Sequence, residues 1–287
     1  MGAEPSQMIN RQRYQLVTEG KVDAWLSEDV VISEEPLNIV LHWTDQKTGE
    51  ALEKTFMVTM RTPGKDEFLV TGLLLSYAII SHAAQIESIT TSEFNQCDIT
   101  LSQSVVLDWK SLTRQFVSHS GCGICGANNV KKLANTFNVR IDETAHWLPF
   151  ETLLTFPDKL RQQQSLFSTT GGVHSAGIFN LNKCLSVHED VGRHNAVDKV
   201  VGDVLGRGEI GKKNILMLSG RISFELMQKA VAAKIPVVVA IGAPSSLAIE
   251  VAKQFNITLI GFVSNRTCNV YHGNFRLSKE HTTKTNR

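Results

Sequence analysis

The sequence predicts an α/β protein, α+β overall, in which a smaller strand-rich N-terminal domain precedes an α/β domain with a parallel β-α-β-α-β section. Three observations carry this. Short strand-like runs crowd the first half of the chain, and after Gly171 the hydrophobic pattern changes to buried β runs alternating with helical stripes. The chain has 287 residues, 42% of them hydrophobic, enough for one large or two ordinary domains. The expected division is residues 1–117, a mobile linking loop over 118–129, and 130–287.

Taken in order, the first thirty residues are broken by Arg11, Arg13, Glu19, Lys21 and Asp23 and read as a polar segment prone to fray. Asn38 to Trp43 and Lys54 to Met60 read as strands joined by the turn-forming stretch Thr44 to Glu50, hence a hairpin. Asp66 to Ile80 is helical in pattern, introduced by Arg61-Thr-Pro-Gly64, and Cys97 to Leu107 alternates as a strand. Val130, Leu133, Ala134 and Phe137 fall at helical spacing. Gly177 to Leu181 is strand-like, and Asn195 to Leu205 puts Val197, Val200, Val201 and Val204 on one stripe. Then follow a strand (Asn214 to Ser219), a helix (Ser223 to Ala233), a buried β run (Val237 to Ile241), a helix (Ser245 to Phe255) and a strand (Thr258 to Val263). That order implies parallel strands with right-handed crossovers.

The bulk numbers exclude several classes. Lys and Arg total 29 against 28 acidic residues, so no global field recruits nucleic acid or an anionic membrane. No segment reaches the roughly eighteen apolar residues of a membrane span, and no secretory apolar core opens the chain. Five cysteines, an odd and scattered count, are not a secreted disulfide framework. A soluble cytoplasmic protein is expected.

Cys122 and Cys125 form a C-x-x-C pair flanked by Gly121, Gly123 and Gly126. Glycine permits backbone angles that let the sulfurs reach a partner. The helix expected to follow places its positive end beside the pair, and His119, Lys131 and Lys132 add to that field. An exposed low-pKa thiolate suits a nucleophile or a sulfur carrier.

In an open parallel sheet, ligands bind beyond the carboxyl ends of the strands. Those loops here hold Ser219, Gly220, Arg221 and Ser223; Gly242, Ser245 and Ser246; and Ser264, Asn265, Arg266 and Thr267. Ser223 and Ser245 also suit helix capping. Arg221 and Arg266 tip the balance toward a phosphorylated or nucleotide ligand. Thr170-Gly-Gly-Val-His174 sets His174 before a strand, and His188 to Asn195 packs acids, imidazoles and a guanidinium into one corner. That corner reads either as a solvated salt-bridged turn or as part of a site.

Other uses of the thiols have weaker support. Structural zinc needs a second ligand pair, which is missing. A zinc-dependent deaminase-like hydrolase using Cys122, Cys125 and His174 would have the signature in reversed order, with Ala176 in place of its catalytic Glu. A dithiol oxidoreductase would place the pair at the start of a βαβ unit.

The chain resembles the FdhD family of sulfur carrier proteins from about Asn38 to Asn274. The resemblance rests on Arg61-Thr-Pro-Gly64, Gly121-Cys-Gly-Ile-Cys-Gly126, Thr170-Gly-Gly-Val-His174, Glu189-Asp-Val-Gly-Arg-His-Asn-Ala-Val-Asp-Lys199, Ser219-Gly-Arg-Ile-Ser-Phe-Glu225, Ala243-Pro-Ser-Ser-Leu-Ala248 and Gly261-Phe-Val-Ser-Asn-Arg-Thr-Cys-Asn-Val-Tyr271. It implies a sulfurtransferase that accepts persulfide sulfur from a cysteine desulfurase on Cys122, assisted by Cys125. The sulfur passes to the molybdenum cofactor in its bis-guanine-dinucleotide form before delivery to formate dehydrogenase apoprotein. It further implies a homodimer, a C-terminal domain like that of cytidine deaminases, and cofactor binding around Phe262, Val263, Ser264, Asn265, Arg266 and Thr267. Ser219, Gly220, Arg221, Ser245, Ser246 and His174 complete the expected binding set, with guanosine diphosphate as a fragment ligand.

Overall fold

The computed structural model describes residues 4–92, 95–109, 112 and 126–278. Cys122 and Cys125 lie outside the described residues. The helix Gly126–Thr136 begins directly after them, and Val130, Leu133 and Phe137 are buried as their spacing predicts.

The N-terminal segment departs from expectation. Instead of a fraying tail it forms strands β1 (Ser6–Thr18) and β2 (Lys21–Ile32), paired antiparallel in a two-stranded ribbon. Gly20, at φ +78°, makes the reversal that other residues resist. Side chains sort by face: Met8 opposes Val30, Tyr14 opposes Ala24 and Leu16 opposes Val22, while Arg11 pairs with Asp29 on the other side. The residues that suggest a tail alternate across the two faces of this ribbon, and both faces are largely exposed, Met8, Tyr14 and Leu16 included.

β3 (Glu35–Thr44) and β4 (Ala51–Arg61) form the expected antiparallel hairpin. Asp45 Oδ1 accepts the backbone N–H groups of Lys47 (2.8 Å) and Thr48 (3.0 Å), which fixes the turn. The helix Asp66–Ser76 stops short of Ile80 because Ala78 takes a left-handed conformation, φ +56°. β5 (Ile86–Thr91), absent from the sequence reading, and β6 (Gln96–Leu101), shorter than expected, complete a four-stranded sheet of order β4-β3-β6-β5.

β7 (Leu148–Pro149) opens a run of short helices, Phe150–Leu154, Phe156–Arg161 and Ser165–Thr170. The second sheet contains β8 (His174–Phe179), β9 (Cys184–Asp190), β10 (Ile215–Leu218), β11 (Val237–Ala240), β12 (Thr258–Gly261) and β13 (Asn269–His272) in the order β13-β12-β11-β10-β8-β9. Only β10, β11 and β12 run parallel; β8, β9 and β13 pair antiparallel, so the sheet is mixed and not the open parallel sheet of the ligand argument. β14 (Leu277–Ser278) pairs with β7.

The central strands are buried on both faces, as parallel strands require. Leu216, Leu218, Val238, Ala240 and Leu259 join the main core, whereas Ile215, Met217, Val237, Val239 and Ile260 face a second cluster with Leu153, Phe156 and Leu160. The main core also takes in Leu37, Ile39 and Leu41 of β3, so one apolar cluster spans both sheets. Helix Asp66–Ser76 packs on helix Arg193–Gly206 with backbones almost touching. A Cβ on Gly72 would lie 2.1 Å from the Asp198 carbonyl oxygen, and one on Gly202 would lie 2.0 Å from that of Phe68.

Buried polar groups pin the same junction. Asp190, fully buried, pairs with Lys199 at 2.7 Å and accepts the Thr62 N–H at 3.1 Å, the Gly192 N–H at 2.8 Å and Asn195 Nδ2 at 3.0 Å. Lys199 Nζ also donates to the Thr62 carbonyl at 2.9 Å, and Arg61 grips Asp66 through two hydrogen bonds of 2.9 and 3.0 Å. The Arg61-Thr-Pro-Gly64 and Glu189 to Lys199 motifs are therefore two halves of one clasp, in which each buried charge has its partner.

Candidate functional site

The carboxyl ends of β10, β11 and β12 lead into three loops that are hydrogen-bonded to one another in sequence. The Gly242 N–H donates to the Gly220 carbonyl at 3.2 Å, and the Phe262 N–H donates to the Gly242 carbonyl at 3.2 Å. Ser245 N–H reaches the Ile222 carbonyl at 2.9 Å, and Ile222 bridges Pro244. A Cβ on Gly242 would stand 2.7 Å from the Gly220 carbonyl oxygen, so glycine is what allows the loops to interlock. The result is a rigid rim on a well-packed sheet.

Beside this rim lies a cleft of about 760 Å³. His174, Ser219, Val263 and Asn265 of the expected set line it, together with Gly171, Gly172 and Val173 of the Thr170-Gly-Gly-Val-His174 segment. Phe262, Ser264, Arg266, Thr267, Gly220, Arg221, Ser245 and Ser246 stand in the adjoining loops outside its lining.

Local folding explains each placement. Gly171 ends the Ser165–Thr170 helix at φ +66°, and Gly172 packs where a Cβ would meet Ile32 of β2 at 3.2 Å. Ser219 Oγ accepts the Ser175 N–H at 2.9 Å, holding the two strand ends together. Ser264 Oγ accepts the N–H groups of Arg266 (3.4 Å) and Thr267 (3.1 Å), so these residues form a closed turn. Asn265 reaches across to Asp158 at 2.9 Å. The Arg266 side chain is exposed with no partner among the described residues. Phe262 is half exposed and held at φ +52°, a left-handed conformation that costs on the order of 1–3 kcal/mol in a non-glycine residue. Ser245 caps its helix by accepting the Ala248 N–H at 3.2 Å, whereas Ser223 makes no such cap.

The charged corner is not solvated surface. Along β9 the side chains alternate: Glu189 accepts the N–H groups of Leu166 (2.8 Å) and Phe167 (2.9 Å), Asp190 belongs to the buried clasp, and His188 meets Asp203 at 3.2 Å. Only Val191 of this stretch lines the cleft. Burial, with Arg193 and Arg221 nearby, holds the His174 pKa below its ordinary value. His194 is pushed down to about 4, chiefly by burial and then by Lys229 and Arg193. Both imidazoles are therefore neutral at pH 7.

The other wall of the cleft was missed by sequence reasoning. Pro157, Asp158 and Arg161 come from the helix Phe156–Arg161, with Gln164 and Phe167 just beyond it. Phe167 and Ile241 expose 37% and 44% of their surfaces, enough apolar area to hold a flat ring. Phe167 and Ile241 are close in sequence to the glycine motifs, which could have marked them; Asp158 and Arg161 carry no such signal. Nothing in the spacing shows that these short helices cover the sheet.

Of the described cysteines, none is an activated thiolate. Burial pushes Cys97 up to about 11, despite a hydrogen bond from Thr91, and burial also raises Cys184 and Cys268. Cys122 and Cys125 lie outside the described residues.

The FdhD/NarQ family profile matches residues 32–278. The sulfur carrier protein FdhD of Streptomyces avermitilis is 38% identical over 262 residues, covering 87% of this chain and 89% of the relative. That of Saccharolobus solfataricus is 36% identical over 265 residues, covering 92% and 96%. The crystal structure of a candidate formate dehydrogenase accessory protein from Desulfotalea psychrophila shares the fold, with a TM-score of 0.71 at 22% identity over 94% of this chain and 99% of that one. The chain belongs to the FdhD/NarQ family.

Proposed function

We propose that this FdhD/NarQ family member is a sulfur carrier that serves formate dehydrogenase, taking sulfur from a cysteine desulfurase on Cys122 and passing it to the bis-guanine-dinucleotide molybdenum cofactor. The observation that carries the reading is the family match over residues 32–278, which spans both thiols of the C-x-x-C pair, with relatives named sulfur carriers across nearly the whole chain. The raised thiols of Cys97, which is buried, and of Cys184 and Cys268, which are partly buried, support it, because a protonated thiol is a poor nucleophile.

In the loading step, the Cys122 thiolate attacks the terminal sulfur of the donor persulfide. The donor S–S bond breaks, its cysteine leaves as thiolate, and the new S–S bond makes Cys122 a persulfide. In the release step, Cys125 thiolate attacks the Cys122 inner sulfur. A Cys122–Cys125 disulfide forms, hydrosulfide departs to the cofactor, and two external thiols later reduce the disulfide by successive exchange, leaving as their own disulfide. The cleft and its rim hold the cofactor as substrate: Phe262 and Phe167 offer faces for a guanine ring, and Arg266 and Arg221 offer charge to its diphosphates. The same reading includes a cytidine-deaminase-like C-terminal unit over 130–287, a homodimer and a cytoplasmic setting.

The test is mass spectrometry after incubation with a cysteine desulfurase and cysteine, which should find one added sulfur on the peptide carrying Cys122. Cys122→Ala should abolish formate dehydrogenase maturation. A persulfide confined to Cys184 or Cys268, with Cys122→Ala fully active, overturns the reading. For the cofactor half, Arg266→Ala should weaken calorimetric binding of guanosine diphosphate by roughly 1.5–3 kcal/mol and leave sulfur loading intact.

A further inference from the structure

The ribbon of β1 and β2 sorts its residues by face. Directly opposed residues share a face, and the face of Met8 and Val30 continues through Leu26, the Tyr14 and Ala24 pair and the Leu16 and Val22 pair. Met8, Tyr14, Leu16, Val22 and Leu26 are each between 57% and 81% exposed. Glu28, opposite Asn10, is the one charge on this face. The other face satisfies itself: Arg11 pairs with Asp29 at 2.5 Å, and the Arg13 guanidinium lies 5.8 Å from the centre of the Trp25 ring.

The apolar stripe is too large to be incidental. β1 has 13 residues, so the stripe runs for about 40 Å. Its five large side chains together expose on the order of 700 Å², more than the roughly 300–600 Å² of the largest apolar patch on a typical monomer. A two-stranded ribbon standing alone is also marginally stable in water, and a further layer on its apolar face is what stabilises it. The body supplies such a layer at the foot, where β2 meets the helix Ser165–Thr170 and Ile32 Cγ2 lies 3.2 Å from where a Cβ on Gly172 would stand. Ile32, opposite Ser6, belongs to the same face as the stripe, so that face is packed at its root and bare beyond it.

Permanence and area select the occupant. A client met only during sulfur transfer would leave the stripe bare between encounters, and with one charge on the face a strongly acidic or basic partner finds little to pair with. A second copy is present from folding onward and brings an identical stripe, so each face covers the other about a twofold axis. About 700 Å² from each copy approaches the roughly 800 Å² that each partner gives to a standard stable interface.

We propose that the apolar face of the β1–β2 ribbon is the surface on which two copies of this chain pair, face to face. The inference rests on the homodimer of the proposed function and gives it a surface; the sulfur chemistry does not depend on it. Gly172 and Phe167, beside the root of the ribbon, line the cleft, so pairing there holds the second copy next to the cleft wall.

The test is sedimentation velocity of the full-length protein at micromolar concentration, with circular dichroism checking the fold of each variant. The native protein should be a dimer. Leu16→Lys combined with Leu26→Lys should weaken dimerisation at least about a hundredfold, because four like charges then meet where apolar groups were buried. Tyr14→Ala adds no charge and should weaken it about tenfold. Gln7→Lys combined with Gln15→Lys puts the same charges on the opposite face and should leave the dimer intact. A native monomer overturns the ribbon surface and the homodimer together, and flotation of that monomer with phosphatidylcholine vesicles, lost in the Leu16→Lys and Leu26→Lys protein, would give the stripe to lipid instead. A dimer indifferent to the stripe variants, or one lost equally when the opposite face is charged, overturns the ribbon surface and leaves the homodimer standing.

Discussion

Gly202→Ala removes no hydrogen bond and adds one methyl group, yet it should be among the most damaging small changes in this chain. The new Cβ would lie 2.0 Å from the Phe68 carbonyl oxygen and 2.9 Å from the Gly72 nitrogen, all backbone, so no rotamer change relieves it. An ordinary carbon–oxygen contact is about 3.3 Å, and the two helices must move apart by roughly 1 Å. Overpacking usually costs about 1–3 kcal/mol, and a clash this short between backbones stands at the top of that range, about 3 kcal/mol, whereas alanine returns about 1 kcal/mol of helix propensity. A net loss of about 2 kcal/mol lowers the melting temperature by roughly 4–8 °C in a chain of this size. Gly206→Ala is the control in the same helix: nothing lies within 4 Å of its added methyl, so it should be neutral or mildly stabilising. Urea unfolding followed by circular dichroism gives both values. Because Gly72 and Gly202 share one contact, the double alanine variant should lose less than the sum of the singles. A Gly202→Ala protein as stable as Gly206→Ala would refute the backbone-to-backbone packing of these helices.

Three further outcomes are expected. Lys229→Met strands the Asp198 carboxylate, 1% exposed, and should cost about 3–5 kcal/mol in urea unfolding, with much of it recovered when Asp198→Asn is added. His194 has its folded pKa lowered from 6.5 to about 4, so the unfolded chain binds more protons between those values. Its contribution is complete above pH 6.5 and lost as pH falls toward 4; urea midpoints at pH 7 and pH 5 should differ less in His194→Gln than in the native protein. Metal analysis of the purified protein should find no stoichiometric zinc, and one zinc per chain that is lost in Cys125→Ala would replace the carrier with a metal site.

The sequence alone was sufficient wherever the information is local. The β10 to β12 region fell within two residues of its expected bounds, because each strand is short, buried on both faces and bounded by turn residues. The helix Arg193–Gly206 announced itself by its valine stripe, and the C-x-x-C pair and the family motifs needed no coordinates. Four of the expected binding residues, His174, Ser219, Val263 and Asn265, also reach the cleft.

What required the tertiary structure depends on pairing between distant segments. The N-terminal ribbon was hidden because polar residues facing water and charges pairing across strands look the same in a linear reading; only the β1–β2 register separates them. β8, β9 and β13 carry no local mark of direction, so the antiparallel flanks of the sheet emerge only from their partners. Glu189 and Asp190, which the sequence leaves open between a solvated salt-bridged turn and part of a site, hold a helix start and a buried clasp, since adjacent residues of a strand point to opposite faces. Asp158, Arg161 and Phe167 became cleft residues only when packing brought their helices to the rim: a side chain's chemistry is written in the sequence, but its neighbours across the fold are set by how the apolar faces close.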